Sequence, residues 1–75
     1  MFEVYTIYGL YNDDTMERIE EGDHLKQITF YNSDCEETKL KKIKISDIYD
    51  NRIIVETSDY DEVTIDIDDI IDWEI

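Results

Sequence analysis

Residues 53–75 carry Glu56, Asp59, Asp61, Glu62, Asp66, Asp68, Asp69, Asp72 and Glu74, with no Lys or Arg among them. Carboxylates at this density can do three kinds of chemistry. Two of them in one pocket can divide general-acid and general-base roles if their environments push their pKa values apart. Several converging oxygens can hold a hard cation such as Ca²⁺ or Mg²⁺. A rigid, regularly spaced row can stand in for the phosphates of a nucleic acid in front of a Lys/Arg-lined surface.

The first two find little support in the spacing. His24 is the only histidine and Cys35 the only cysteine, and they fall on different expected elements. No nucleophile elbow, P-loop or paired-cysteine motif occurs. A small barrel filled by its own side chains leaves little room for a pocket of several hundred Å³. The chain is therefore not expected to be an enzyme, nor to carry a cofactor. The acidic runs 59–62 and 66–72 lack the glycine and terminal glutamate of a calcium-binding loop, so no specific metal site is expected.

The third kind fits the pattern better. On a strand, residues i and i+2 share a face about 6.6 Å apart. Two unit charges at that distance repel by about 0.6 kcal/mol in water and roughly 2.5 kcal/mol at an effective dielectric of 20. Salt weakens this, the Debye length being about 8 Å at physiological ionic strength. For nine acids without a base the summed repulsion is comparable to the stability margin of a small domain. Solubility alone is served by a net charge of magnitude about 2–8, whereas this chain carries −14. The charge is also lopsided: residues 1–25 sum to −6, residues 26–52 to +1 and residues 53–75 to −9.

Period-two alternation is the main organising signal along the chain. Strands are expected over Phe2–Tyr8, Leu25–Tyr31, Glu36–Ile45, Arg52–Thr57, Val63–Ile67 and Ile71–Ile75. Gly9–Asn12 reads as a break. Asp13 or Asp14 would then cap a short helix over Thr15–Glu21, with Gly22 at its exit. Asn32-Ser33-Asp34, Asp47–Asn51 and Ser58–Asp61 supply turn chemistry. The apolar phase slips between Leu40 and Ile43, the mark of a bulge or sharp bend. Asp68-Asp69-Ile70 breaks the final alternation in the manner of a single 3-10 turn. Val63, Ile65, Ile67, Ile71, Trp73 and Ile75 would face the core. The expected fold is mainly β, a small SH3/Sm-like barrel of five to six short strands. One short helix would follow the first strand, and a 3-10 turn would precede the last.

The 75 residues form one expected domain spanning 1–75. A hydrophobic content of 41% and the absence of Pro separate the chain from disordered acidic tails. One cysteine excludes an intramolecular disulfide. No apolar run approaches the ~20 residues of a membrane span, and Met1-Phe2-Glu3-Val4 lacks the basic n-region of a secretory signal, so no signal is expected. A soluble, cytoplasmic protein is expected.

Residues 26–75 resemble the YolD-like family of Gram-positive bacteria and their phages. The stretches "LKKIKISDIYDNRIIV" and "VTIDIDDIIDWEI" carry the resemblance. It implies a bacterial or phage source, a small β-rich fold, and partnership with a translesion DNA polymerase. In size and charge the chain also resembles small acidic phage inhibitors, among them anti-CRISPR and anti-restriction proteins.

The leading expectation is a phage-type acidic inhibitor acting in the bacterial host cytoplasm. It would mimic nucleic acid and occupy the basic surface of a nucleic-acid-binding protein of host defence or DNA processing. The nine acids named above would act as phosphate surrogates. Asp13, Asp14, Glu17, Glu20 and Glu21 would help, and exposed tyrosines among Tyr5, Tyr8, Tyr11, Tyr31, Tyr49 and Tyr60 would add rim contacts. The alternative is a YolD-like accessory protein regulating a translesion polymerase by protein–protein contact. A third reading is self-association through edge strands, as a homodimer or ring. Direct nucleic-acid binding is not expected. Lys39, Lys41, Lys42 and Lys44, with Arg52 and Tyr49, could form a basic strip, but the net field repels phosphate. Simple alternation would also divide those lysines between two faces.

Overall fold

Antiparallel pairing of alternating sequences accounts for almost every element. The structure is a computed structural model and describes residues 2–6 and 9–75. In chain order the strands are β1 (Phe2–Thr6), β2 (Gly9–Asn12), β3 (Glu17–Glu20), β4 (His24–Tyr31), β5 (Glu37–Ile48), β6 (Arg52–Glu56), β7 (Glu62–Asp66) and β8 (Ile70–Glu74). A 3-10 turn over Ile67–Asp69 joins β7 to β8, within a residue of its expected place. The strands form two sheets, β1-β2-β3 and β7-β6-β5-β4-β8. Ile7 and Tyr8, the expected end of the first strand, lie outside the described residues. Among the described residues no helix is long and apolar enough to cross a membrane.

Three expectations need correction. The helix over Thr15–Glu21 is absent, and the break at Gly9–Asn12 is a strand. β2 and β3 form a hairpin in which Leu10 lies opposite Ile19, and both are buried. A two-turn helix cannot nucleate alone, whereas the hairpin buries its two apolar residues against each other. Its turn is set by Asn12, whose Oδ1 accepts the Asp14 N–H at 3.0 Å, and by Met16 in the left-handed region (φ 64°).

The second correction concerns the barrel, which does not close. β8 returns to pair with β4, while among the described residues β7 pairs only with β6, so the two strands end at opposite edges of one sheet. The small sheet covers part of the opening. Gly22, at φ +94°, donates its N–H to Ile45 O at 2.7 Å, and Ile45 N–H returns to Asp23 O at 2.8 Å. A side chain at that φ is strained. The Ile48 N–H reaches Glu21 Oε2 at 2.9 Å. Trp73 ties the far end, its Nε1–H donating to Glu17 Oε1 at 2.9 Å and its ring meeting Phe2 edge-on at 4.7 Å. A single buried cluster takes Leu10 and Ile19 from one sheet and Ile28, Ile43, Ile53 and Ile65 from the other.

The phase slip within 40–43 is present and shared by two strands. Burial passes from Leu40 to Ile43 on β5, and from Leu25 to Ile28 on β4, directly across the ladder. Lys42 sits at the switch with φ 55°. In β8 the buried residues are Ile70 and Trp73, whereas Ile71 and Ile75 are 38% and 51% exposed. The expected core positions 71 and 75 are therefore wrong. A register shift where Phe30 meets Ile70 and Thr29 meets Asp72 leaves Ile71 as the extra residue and turns it outward.

Candidate functional site

The nine acids of residues 53–75 do not form one face. Seven are exposed, and Glu56 and Asp69 are half-buried. They fall into three groups because β7 and β8 diverge. Glu56, Asp59, Asp61 and Glu62 surround the β6–β7 hairpin. Its turn is closed by the Thr57 N–H on Asp61 O at 2.8 Å, with Tyr60 at its tip in the left-handed region (φ 66°). Glu56 lies opposite Glu62 on one side and Lys44 on the other.

The second group is Asp66, Asp68 and Asp69. Asp66 precedes the 3-10 turn and makes no side-chain capping bond. It lies opposite Arg52, whose guanidinium instead stacks 4.6 Å over the Tyr49 ring and donates to Asn51 Oδ1 at 3.1 Å. Asp66 and Asp69 line one cavity of about 430 Å³, together with Phe30, Leu40, Val63 and Ile65. Asp68 lines a smaller one of about 210 Å³ together with Asp14 of the β2–β3 turn. A 3-10 segment rises about 2 Å per residue, so Asp66 and Asp69 stand about 6 Å apart along it.

The third group, Asp72 and Glu74, sits on β8. Across the sheet Asp72 faces Thr29 and then Lys39, while Glu74 faces Gln27 and then Lys41. Two strand spacings are about 9.6 Å, so these acids lie within roughly one Debye length of a cation.

The lysines depart from simple alternation. Lys39, Lys41, Lys42 and Lys44 are all exposed, because the phase break moves the inward positions from half-buried 38 and 40 to buried 43 and 45. The even lysines thereby escape the core. Of the tyrosines, Tyr31, Tyr49 and Tyr60 are exposed, at 48%, 42% and 83%. Tyr11 is half-buried, with its hydroxyl 2.8 Å from Met16 Sδ. The side chain of Tyr5 and the whole of Tyr8 lie outside the described residues.

Among the described residues no group of three or more His, Cys, Asp or Glu is placed to hold a metal ion. The apolar wall of the 430 Å³ cavity was not visible in the sequence. Phe30, Leu40 and Val63 read there as ordinary core positions, and nothing in one strand's alternation says which neighbour it will lack. No protein-family profile matches the chain, and neither a curated protein nor a solved structure matches it.

Proposed function

We propose that this chain is an acidic inhibitor that mimics nucleic acid and occupies the Lys/Arg-rich surface of a nucleic-acid-binding protein of host defence or DNA processing. The observation that supports it most is the run Asp14, Asp68, Asp69 and Asp66. Acids from two separate parts of the sequence line two cavities, Asp66 and Asp69 the one and Asp14 and Asp68 the other, with Asp68 and Asp69 consecutive in the 3-10 turn. Asp66 ends β7 and Asp68 and Asp69 lie in the 3-10 turn, so the spacing of these three is fixed before binding, while Asp14 is carried by the β2–β3 turn. A positively charged channel would be steered toward such a group of acids, since association between opposite potentials is accelerated at low salt. The β6–β7 hairpin extends the same chemistry, because Glu56 and Glu62 are held directly opposite each other without any need from the core.

Asp72 and Glu74 have a smaller part in this reading, since lysines flank them. The test is affinity capture from a bacterial lysate on two immobilised forms, the native chain and a variant with Asp66, Asp68 and Asp69 changed to Asn. Proteins released by high salt are identified by mass spectrometry and assayed for DNA displacement. The expected result is a nucleic-acid-binding protein held only by the native chain, from which the native chain displaces DNA. Equal recovery of abundant cationic proteins on both forms would overturn the reading.

A further inference from the structure

The 430 Å³ cavity beside Asp66 runs along a strand edge. Val63, Thr64, Ile65 and Asp66 are four consecutive residues that all line it. Side chains alternate along a strand, so four in a row can border one cavity only when it follows the strand's side. Among the described residues β7 has a ladder partner, β6, on one side alone. The parity of that ladder is fixed at both ends, by Thr57 N–H on Asp61 O and by Ile67 N–H on Asn51 O. Val63 and Ile65 therefore exchange their hydrogen bonds with β6, while Glu62, Thr64 and Asp66 turn their N–H and C=O groups to the open side. The cavity has an apolar floor of Phe30, Leu40, Val63 and Ile65, and its end is marked by Asp66 and Asp69. Its volume falls within the roughly 300–1,000 Å³ of ligand pockets.

We infer that this cleft binds an extended peptide segment in which apolar residues alternate with Lys or Arg, added as a further strand along β7. Charge decides the occupant. A second copy of the chain would bring another −14, and the exposed acids on β7 would face their own kind. A nucleic acid would be repelled in the same way. A cationic strand satisfies the outward N–H and C=O groups, places alternate apolar side chains on the floor, and sets its cations near Asp66 and Asp69. At about 3.4 Å per residue, the five residues of β7 have room for a segment of about five. The inference goes beyond the function proposed above and holds whether or not the partner also binds nucleic acid.

The experiment titrates the ¹⁵N-labelled full chain with acetyl-Lys-Val-Lys-Val-Lys-Val-amide. Amide shifts and slowed hydrogen exchange are expected at Glu62, Thr64 and Asp66, with little added protection at Val63 and Ile65. Thr64→Pro removes an outward N–H and leaves the β6 ladder intact, and should weaken binding at least tenfold. If that variant does not fold, the same peptide N-methylated at alternate residues tests the same bond and should fail to bind the native chain. Asp66→Asn combined with Asp69→Asn should weaken binding several-fold, and the Glu-Val analogue should not bind. Equal binding of the Glu-Val peptide, shifts centred on β8, or no binding would overturn the inference. Protection of the same amides that grows with protein concentration, without peptide, would assign the cleft to a second copy and overturn it too.

Discussion

The two edges of the five-stranded sheet carry acids of the same type and end differently. β8 presents Asp72 and Glu74, and its Trp73 is 5% exposed beneath the small sheet. Its acids look across two strands at Lys39 and Lys41. β7 presents Glu62 and Asp66 beside an uncovered cavity, and Arg52, the cation opposite Asp66, is turned toward Tyr49. Among the described residues both strands lack a second ladder partner, but β8 fastens the small sheet through Trp73 while β7 borders the cavity. A charge run read along the chain is therefore not a charged face, because the 3-10 turn sends its two halves to different neighbours.

The comparison breaks most visibly at Trp73. Trp73→Ala removes a buried ring, its contact with Phe2 and the bond to Glu17, and should cost about 3–5 kcal/mol in urea or thermal unfolding. That is a large part of a small domain's stability. Truncation on the exposed side of β7, as in Thr64→Ala, should change stability by less than about 0.5 kcal/mol. If Trp73→Ala also proved mild, the small sheet would not be fastened through β8.

Glu17→Ala isolates the hydrogen bond within that fastening. It leaves the Trp73 Nε1–H without its acceptor and should cost about 1–2 kcal/mol, while Glu17→Gln keeps an acceptor and should recover most of it. Equal losses would assign the effect to packing of the Glu17 side chain and not to the bond.

The smallest effects are electrostatic, and they separate the two edges by sign. Glu62→Lys replaces a like-charge pair with an opposite one across from Glu56 and should stabilise the chain by a few tenths of a kcal/mol at low salt. For a domain of this size that is a rise in Tm of about 1–4 °C. Glu74→Lys removes an acid already flanked by Lys41 and should bring no gain. Both differences should shrink in high salt, and a matching gain at both sites would erase the distinction drawn here.

Much of the five-stranded sheet was legible in the sequence. The turns at Asn32–Asp34 and Ser58–Asp61, the bend near Lys42 and the 3-10 turn before β8 all stand close to where composition and phase put them. The N-terminal region misled because Asn12-Asp13-Asp14 serves a helix cap and a hairpin turn equally well. What decided between them was the distant pairing of Leu10 with Ile19. Ile71 misled because a bulge is set by the partner strand's register, which is absent from β8's own alternation. Which carboxylates share a surface depends on strand order, and no single strand's alternation reveals that. The open edge was invisible, for it consists of backbone groups that every strand possesses.

The most direct test of the central claim compares pairs of equal charge. The native chain, Asp66→Asn with Asp69→Asn, and Asp72→Asn with Glu74→Gln would each be titrated against a DNA complex of the captured partner, and the concentration needed to displace the DNA recorded. Each variant loses two charges. The account predicts that neutralising Asp66 and Asp69 raises that concentration at least tenfold, while neutralising Asp72 and Glu74 changes it less than twofold. Equal losses from both pairs would mean that net charge alone, and not the β7 end of the molecule, carries the interaction.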